Sequence, residues 1–137
     1  MQALIELMKP IRNSDDMAEM LAAENTALFV WVNWSTYARH GSKIYRGAAK
    51  LAADRSRKPI SWFIADLSSP AAAPVNPALH RWLESQEKEG NIRMFPNIDM
   101  GNGSVVWIKN GEVVGFEASV VRSGAEGLLN RIDEVLA

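Results

Sequence analysis

Ala27-Leu28-Phe29-Val30-Trp31-Val32, running on into Asn33-Trp34-Ser35-Thr36-Tyr37-Ala38-Arg39, is the stretch on which the fold turns. A continuous apolar run of this length describes a strand covered on both faces, as in a parallel sheet between helices. A helix is then expected to begin near Arg39–Ser42. Ile44, Ala48, Leu51 and Ala52 give it one apolar stripe at helical spacing, and Pro59 lies beyond its end. Ile60-Ser61-Trp62-Phe63-Ile64-Ala65 follows as a second apolar strand, which completes a βαβ unit.

Upstream, Ala3–Met8 reads as a short edge strand that stops before Pro10. Ser14 offers an N-cap, with Asp15 and Asp16 in the first turn, where the helix dipole favours acids. Met17, Met20 and Leu21 continue at helical spacing, and Asn25 is the expected stop. Downstream, Leu67–Pro77 is a loop by its prolines and small residues. Asn76-Pro77 reads as a cap and first-turn proline for a helix carrying Leu79, Trp82 and Leu83 to Gly90. Residues 91–103 form an irregular connection. Asn110-Gly111 then joins Ser104–Lys109 to Glu112–Ala118, the type I′ hairpin signal. Ser123-Gly124-Ala125-Glu126 reads as a capping box opening a last helix, whose stripe is Leu128, Leu129, Ile132, Val135 and Leu136.

Composition excludes several function classes. The chain has 137 residues, 47% hydrophobic and 23% charged, which suits one globular domain. A net charge of −1 provides no field for nucleic acid or an anionic membrane. The N-terminal residues lack the basic-then-apolar pattern of a signal peptide, so the expected compartment is the cytoplasm. With no cysteine, disulfides, thiolate metal sites and thiol catalysis are all excluded. His40 and His80 are too far apart to form a metal-ligand motif, so neither metal nor cofactor is expected.

The order strand, helix, strand, helix, strand, helix, hairpin, helix resembles thioredoxin along nearly the whole chain. Trp34–Arg39 is similar to the family's Trp-Cys-Gly-Pro-Cys-Lys, with Trp31 matching the earlier tryptophan. Lys109-Asn110-Gly111-Glu112 resembles its hairpin turn, and Gly101-Asn102-Gly103-Ser104 falls over its Gly-Ile-Pro-Thr. The resemblance implies an α/β fold: a three-layer α/β/α sandwich with a mixed sheet of about five strands and about four helices. It implies a single domain over 1–137 with a Pro-rich loop and helix inserted at about 67–100. The stretch from Asp66 to Gly103 is about 20 residues longer than the family needs, where ordinary loops run ~4–6.

Under this resemblance the redox positions are degenerate. Ser35 stands for the attacking cysteine, Thr36 and Tyr37 for the residues between, and Ala38 for the resolving cysteine. Phe29 replaces the buried acid and Gly103 the cis-proline. The family's chemistry needs a thiolate at a helix N-terminus and a second thiol to resolve it. A serine hydroxyl does neither, and as a nucleophile it requires a positioned base. His40 is off its helical face, and His80 lies in the inserted segment, so Ser35 reads as an exposed capping serine. Without proline, the main chain of residues 101–104 is expected to leave the family's path.

The expected function is therefore a redox-inactive binding, adaptor or chaperone-like domain, not an enzyme. Its partner would be a protein or peptide held at a groove of Trp34, Tyr37, Asn102 and Gly103. The alternative is a thiol-independent enzyme or a glutathione-like small-thiol binder using Ser35 or Tyr37. Trp31, Trp62 and Trp107 are expected in the core, Trp82 against the domain, and Trp34 past the strand end as a contact residue.

Overall fold

The computed structural model describes residues 8–32, 34–55, 59–90, 92–95 and 97–136. Among them the elements are β1 (Met8–Pro10), α1 (Ser14–Ala22), β2 (Asn25–Trp31), α2 (Thr36–Asp54), β3 (Ser61–Asp66), α3 (Asn76–Gly90), β4 (Ser104–Lys109), β5 (Glu112–Glu117) and α4 (Val120–Val135), with a 3₁₀ turn at Pro70–Ala72. The five strands form one mixed sheet in the order β1-β3-β2-β4-β5. β1 and β2 run parallel to β3, while β4 runs antiparallel to β2 and β5.

Strand alternation sorts the apolar side chains into two cores. Leu28, Val30 and Phe63 face α1 and α3, whose Met20, Leu79 and Leu83 are buried among them. Ala27, Phe29, Trp62 and Trp107 face α2 and α4, through Tyr45, Ala48, Leu128 and Ile132. β2 lies in the middle, buried from Asn25 to Val30, as its unbroken apolar run requires. The 67–100 stretch contributes Ala72, Val75, Leu79, Leu83, Met94 and Ile98 to the first core. Trp82 packs partly buried against it.

Several boundaries differ from the sequence reading, each through a competing local bond. The first strand includes Pro10 and pairs it with Ile64, since an edge strand tolerates a missing donor. The rest of the expected strand, residues 3–7, lies outside the described residues. Asn13 caps α1 in place of Ser14, its side chain accepting from the Asp16 N–H at 2.9 Å. The helix ends at Ala22, and Asn25 opens β2 instead of stopping it. Asn76 is the first helical residue of α3, and its Nδ2 donates to the Asp66 carbonyl at 3.2 Å.

The capping box is also displaced. Ser119 caps α4, accepting from the Arg122 N–H. One turn follows before the helical dihedrals break at Gly124 (φ 72°) and resume. Ser123 donates instead to Glu117 Oε2 at 2.9 Å. The hairpin turn matches the reading to the residue: Asn110 and Gly111 both have positive φ, 52° and 80°, as a type I′ turn demands.

α2 differs most from its expected face. Its buried residues are Ala38, Gly41, Tyr45, Ala48, Ala49 and Ala52, while Ile44 and Leu51 are only half-buried. Tyr45 is fully enclosed. Its one hydroxyl proton is shared between the Ala27 carbonyl at 2.8 Å and the Phe63 carbonyl at 2.9 Å, so one phenol joins α2 to adjacent strands. Burial pushes its pKa well above the ordinary value, which keeps it a donor. Trp62 and Trp107 are core, as expected. Trp31 is not: it ends β2 half-buried, at the margin of the second core.

Val113, on the outer strand β5, donates its backbone N–H to Gln86 Oε1 of α3 at 2.9 Å. Arg57, Lys58, Asn33 and Pro96 fall outside the described residues. Arg55, just past the end of α2, pairs with Glu126 at 2.6 Å. No helix among the described residues is long and apolar enough to cross a membrane.

Tyr45→Phe should lower the unfolding free energy by about 1–2 kcal/mol, because two buried carbonyls lose a donor without loss of packing. Urea unfolding measures this, and an unchanged midpoint would show that the phenol is not a structural link.

Candidate functional site

The residues that follow β2 and precede β4 meet at one end of the sheet. Ser35 caps α2, so the helix begins at Thr36 and not near Arg39–Ser42. Thr36 and Tyr37 are poor helix formers, which hides the start from a propensity reading. The Ser35 hydroxyl accepts from the Ala38 N–H at 3.1 Å and donates to the Gly101 carbonyl at 2.9 Å. One side chain therefore closes the helix and fastens the loop before β4. Both of its roles are taken by backbone, and its proton is directed at a carbonyl, not a base.

Behind Ser35 the space is filled. Phe29 and Ala38 are fully buried, and Gly103 is buried between them. A methyl group on Gly103 would lie 3.2 Å from the Ala38 Cα and 3.4 Å from the Phe29 ring. Gly41, on the next turn of α2, presents its bare Cα to the same ring. The Phe29 ring stacks on Tyr45 with centroids 5.0 Å apart and on Trp31 at 6.3 Å. Three of the six positions that the resemblance marks as degenerate, Phe29, Ala38 and Gly103, thus meet at Gly103, and what they form there is apolar packing.

The loop itself leaves the path a proline would take. Gly103 has φ +74°, while proline is confined near −65°. Its carbonyl accepts from the Val120 N–H at 2.9 Å, which ties the loop to the start of α4. Tyr37 is the second residue of α2, 44% exposed, its hydroxyl 2.8 Å from Ser119 Oγ. Asn102 is half-buried and donates from Nδ2 to Asn97 Oδ1 at 3.0 Å. Neither hydroxyl, Ser35 or Tyr37, is without a protein partner.

Trp34 stands outside this packing, 64% exposed. Its ring edge lies over Gly101, where a methyl group would come within 3.2 Å of it. Met100, next along the loop, is 60% exposed. With Tyr37, these are three of the four large apolar side chains exposed among the described residues, the fourth being Val114 on β5. Sequence reasoning missed Met100, which looks like an ordinary loop residue until Ser35 anchors the loop beside Trp34.

Beside Trp34 opens a shallow cleft of about 410 Å³, lined also by Val32, Leu67, Pro77, Ile98, His80 and Asp99. Of the expected groove residues, then, Trp34 faces this cleft, Tyr37 faces α4, and Gly103 is sealed beneath. His80 bridges the cleft wall, 3.0 Å from both Glu84 and Asp99, and its ring rests against Phe95 at 4.7 Å. Partial burial works to lower its pKa. The hydrogen bonds and charges of Asp99 and Glu84 outweigh that and raise it above the ordinary 6.5.

No protein-family model matches this sequence, and no curated protein does. Solved structures do. Thioredoxin from Malassezia sympodialis superposes with a TM-score of 0.58 over 95% of this chain and 91% of that one, at 13% identity. Plasmodium falciparum thioredoxin gives 0.56 over 92% and 97%, also at 13% identity. Mitochondrial thioredoxin 3 from Saccharomyces cerevisiae, in its oxidised form, gives 0.56 over 96% and 99%, at 11% identity. At such identities the likeness is one of fold.

Gly103→Ala should destabilise the protein by at least about 2 kcal/mol, since it combines a positive φ with contact to immovable backbone. Gly47→Ala is the control. Gly47 sits in α2 with nothing within 4 Å of an added methyl group, so the change should stabilise by ~0.5–1 kcal/mol. Urea midpoints moving the same way in both variants would refute the packing account.

The raised pKa of His80 sets the sign of a pH effect. Protonation is favoured in the folded state, so the added stability is complete below the unfolded value near 6.5 and is lost as pH rises through the folded pKa. Between pH 5.5 and 8.5, wild type should lose stability relative to His80→Gln, and parallel curves would show that the two carboxylates do not hold the cation.

Proposed function

We propose that this chain, a thioredoxin fold without a cysteine, is a binding module that holds a protein or peptide segment where the family keeps its redox pair. The observation that carries the reading is the exposure of Trp34 beside the cleft at the start of α2, with Met100 exposed on the loop that Ser35 fastens there. Exposed apolar side chains are ordinary when scattered, and an exposed tryptophan at the mouth of a cleft is the feature of a contact surface. The packing of Phe29, Ala38 and Gly103 supports the same reading. It replaces reacting groups by a firm floor, which suits recognition and not turnover. In the alternative, Ser35 or Tyr37 would activate a small thiol. Their hydroxyls would first have to leave Gly101 and Ser119, which weighs against it.

Panning a displayed peptide library against the wild-type chain tests the proposal. Enriched peptides should be rich in apolar or aromatic residues, and Trp34→Ala should weaken them at least about 30-fold, the ~2 kcal/mol of a central aromatic anchor. The same variant should leave the urea midpoint within ~0.5 kcal/mol of wild type, as for an exposed side chain. Peptides that bind Trp34→Ala equally well would remove the proposed face. Thermal stabilisation by millimolar glutathione would favour the alternative.

A further inference from the structure

A second concavity opens on the other side of the sheet end. Register sets it: β2 and β3 pair Trp31 with Asp66, and β1 and β3 pair Pro10 with Ile64. The carboxyl ends of the three parallel strands therefore lie side by side. The chain leaves β2 for α2 on one face and leaves β3 for α3 on the other. Such a divergence opens a crevice where α/β sheets bind ligands. Here it forms a cavity of about 370 Å³ with Met8, Trp31 and Ile64 among its apolar lining. Arg12, Arg46 and Asp66 supply its charge.

Arg12 and Arg46 both line this one cavity. Among the described residues, no carboxylate oxygen comes within 4.0 Å of the Arg12 or Arg46 guanidinium. Arg46 follows the buried Tyr45 and lines the cavity together with Met8 and Pro10 of β1. Asp66 spends Oδ1 on the N–H and hydroxyl of Ser68. Trp31, in the cavity wall, carries a buried indole N–H with no acceptor. Unpaired donors and positive charge over an apolar floor are complementary to an anion with an apolar body.

We infer that this cavity binds a small organic acid, its carboxylate held by Arg12 and Arg46 and its aromatic or branched body against Trp31, Ile64 and Met8. The guanidinium fork suits a carboxylate, and the floor excludes strongly hydrated ions such as inorganic phosphate. The site is independent of the Trp34 surface.

Titration of the ¹⁵N-labelled chain with phenylacetate tests it, read at the indole N–H signals. The Trp31 signal, assigned with Trp31→Phe, should shift saturably with a Kd on the order of 1 mM, and the Trp34 signal should stay in place. Phenylacetamide, which keeps the ring and lacks the charge, should bind at least tenfold more weakly. Arg12→Gln/Arg46→Gln should lose at least tenfold for phenylacetate while keeping the wild-type amide spectrum, since both side chains are exposed. If the double variant fails to fold, Arg46→Gln alone carries the comparison. The inference is overturned by non-saturating shifts with phenylacetate, by equal affinity for the amide, by binding that ignores the arginines, or by shifts confined to Trp34.

Discussion

The Phe29 ring is the piece to which its surroundings are fitted. It stands on the central strand with no exposure, and interiors are packed too closely for a ring to be added without space being taken elsewhere. That space comes from Gly41 and Gly103, neither of which presents a side chain to it. Restoring bulk at one of these positions would set it against the ring or against backbone. The changes that the resemblance implies at Phe29 and Gly103 are thus matched in volume across a strand and a loop.

Ser35 converts that packing into a surface. Its hydroxyl both caps α2 and holds Gly101, so the helix start and the loop before β4 are joined through one side chain. Val120 fixes the far side of the loop through Gly103, and Ser119 reaches Tyr37. Trp34 and Met100 are thus exposed on a seat with little freedom. An aromatic side chain held in this way loses little entropy on contact, which separates an anchor from an incidental exposed residue. The residue that the resemblance sets in place of the attacking cysteine serves here as a structural fastening.

What the sequence made readable depended on how local the deciding contacts are. The hairpin turn was placed to the residue because Asn110 and Gly111 alone determine it. The double-sided burial of β2 was readable because six adjacent residues carry it. Helix starts were less so. Asn13 and Ser14 both offer cap chemistry, and Ser119 wins over Ser123 because Gly124 breaks the helix between the expected cap and its partner. Tyr45 escaped the apolar stripe because a phenol looks amphipathic until its two carbonyl acceptors are in place. Trp34 was readable as an aromatic past a strand end. Met100, and the placement of Arg12 and Arg46 around one cavity, were not, since each depends on segments brought together across the chain.

The Gln86–Val113 hydrogen bond has a consequence for how these molecules meet each other. β5 is the outer strand on its side of the sheet, and an outer strand offers a row of amides and carbonyls to any extended chain that drifts alongside. A side chain from α3 already occupies one of those amides. A neighbour that sought to lengthen the sheet in register would have to dislodge Gln86 first. In a chain with no thiol to cross-link by accident, this amide latch guards the other route by which small sheet proteins lose themselves to fibrils.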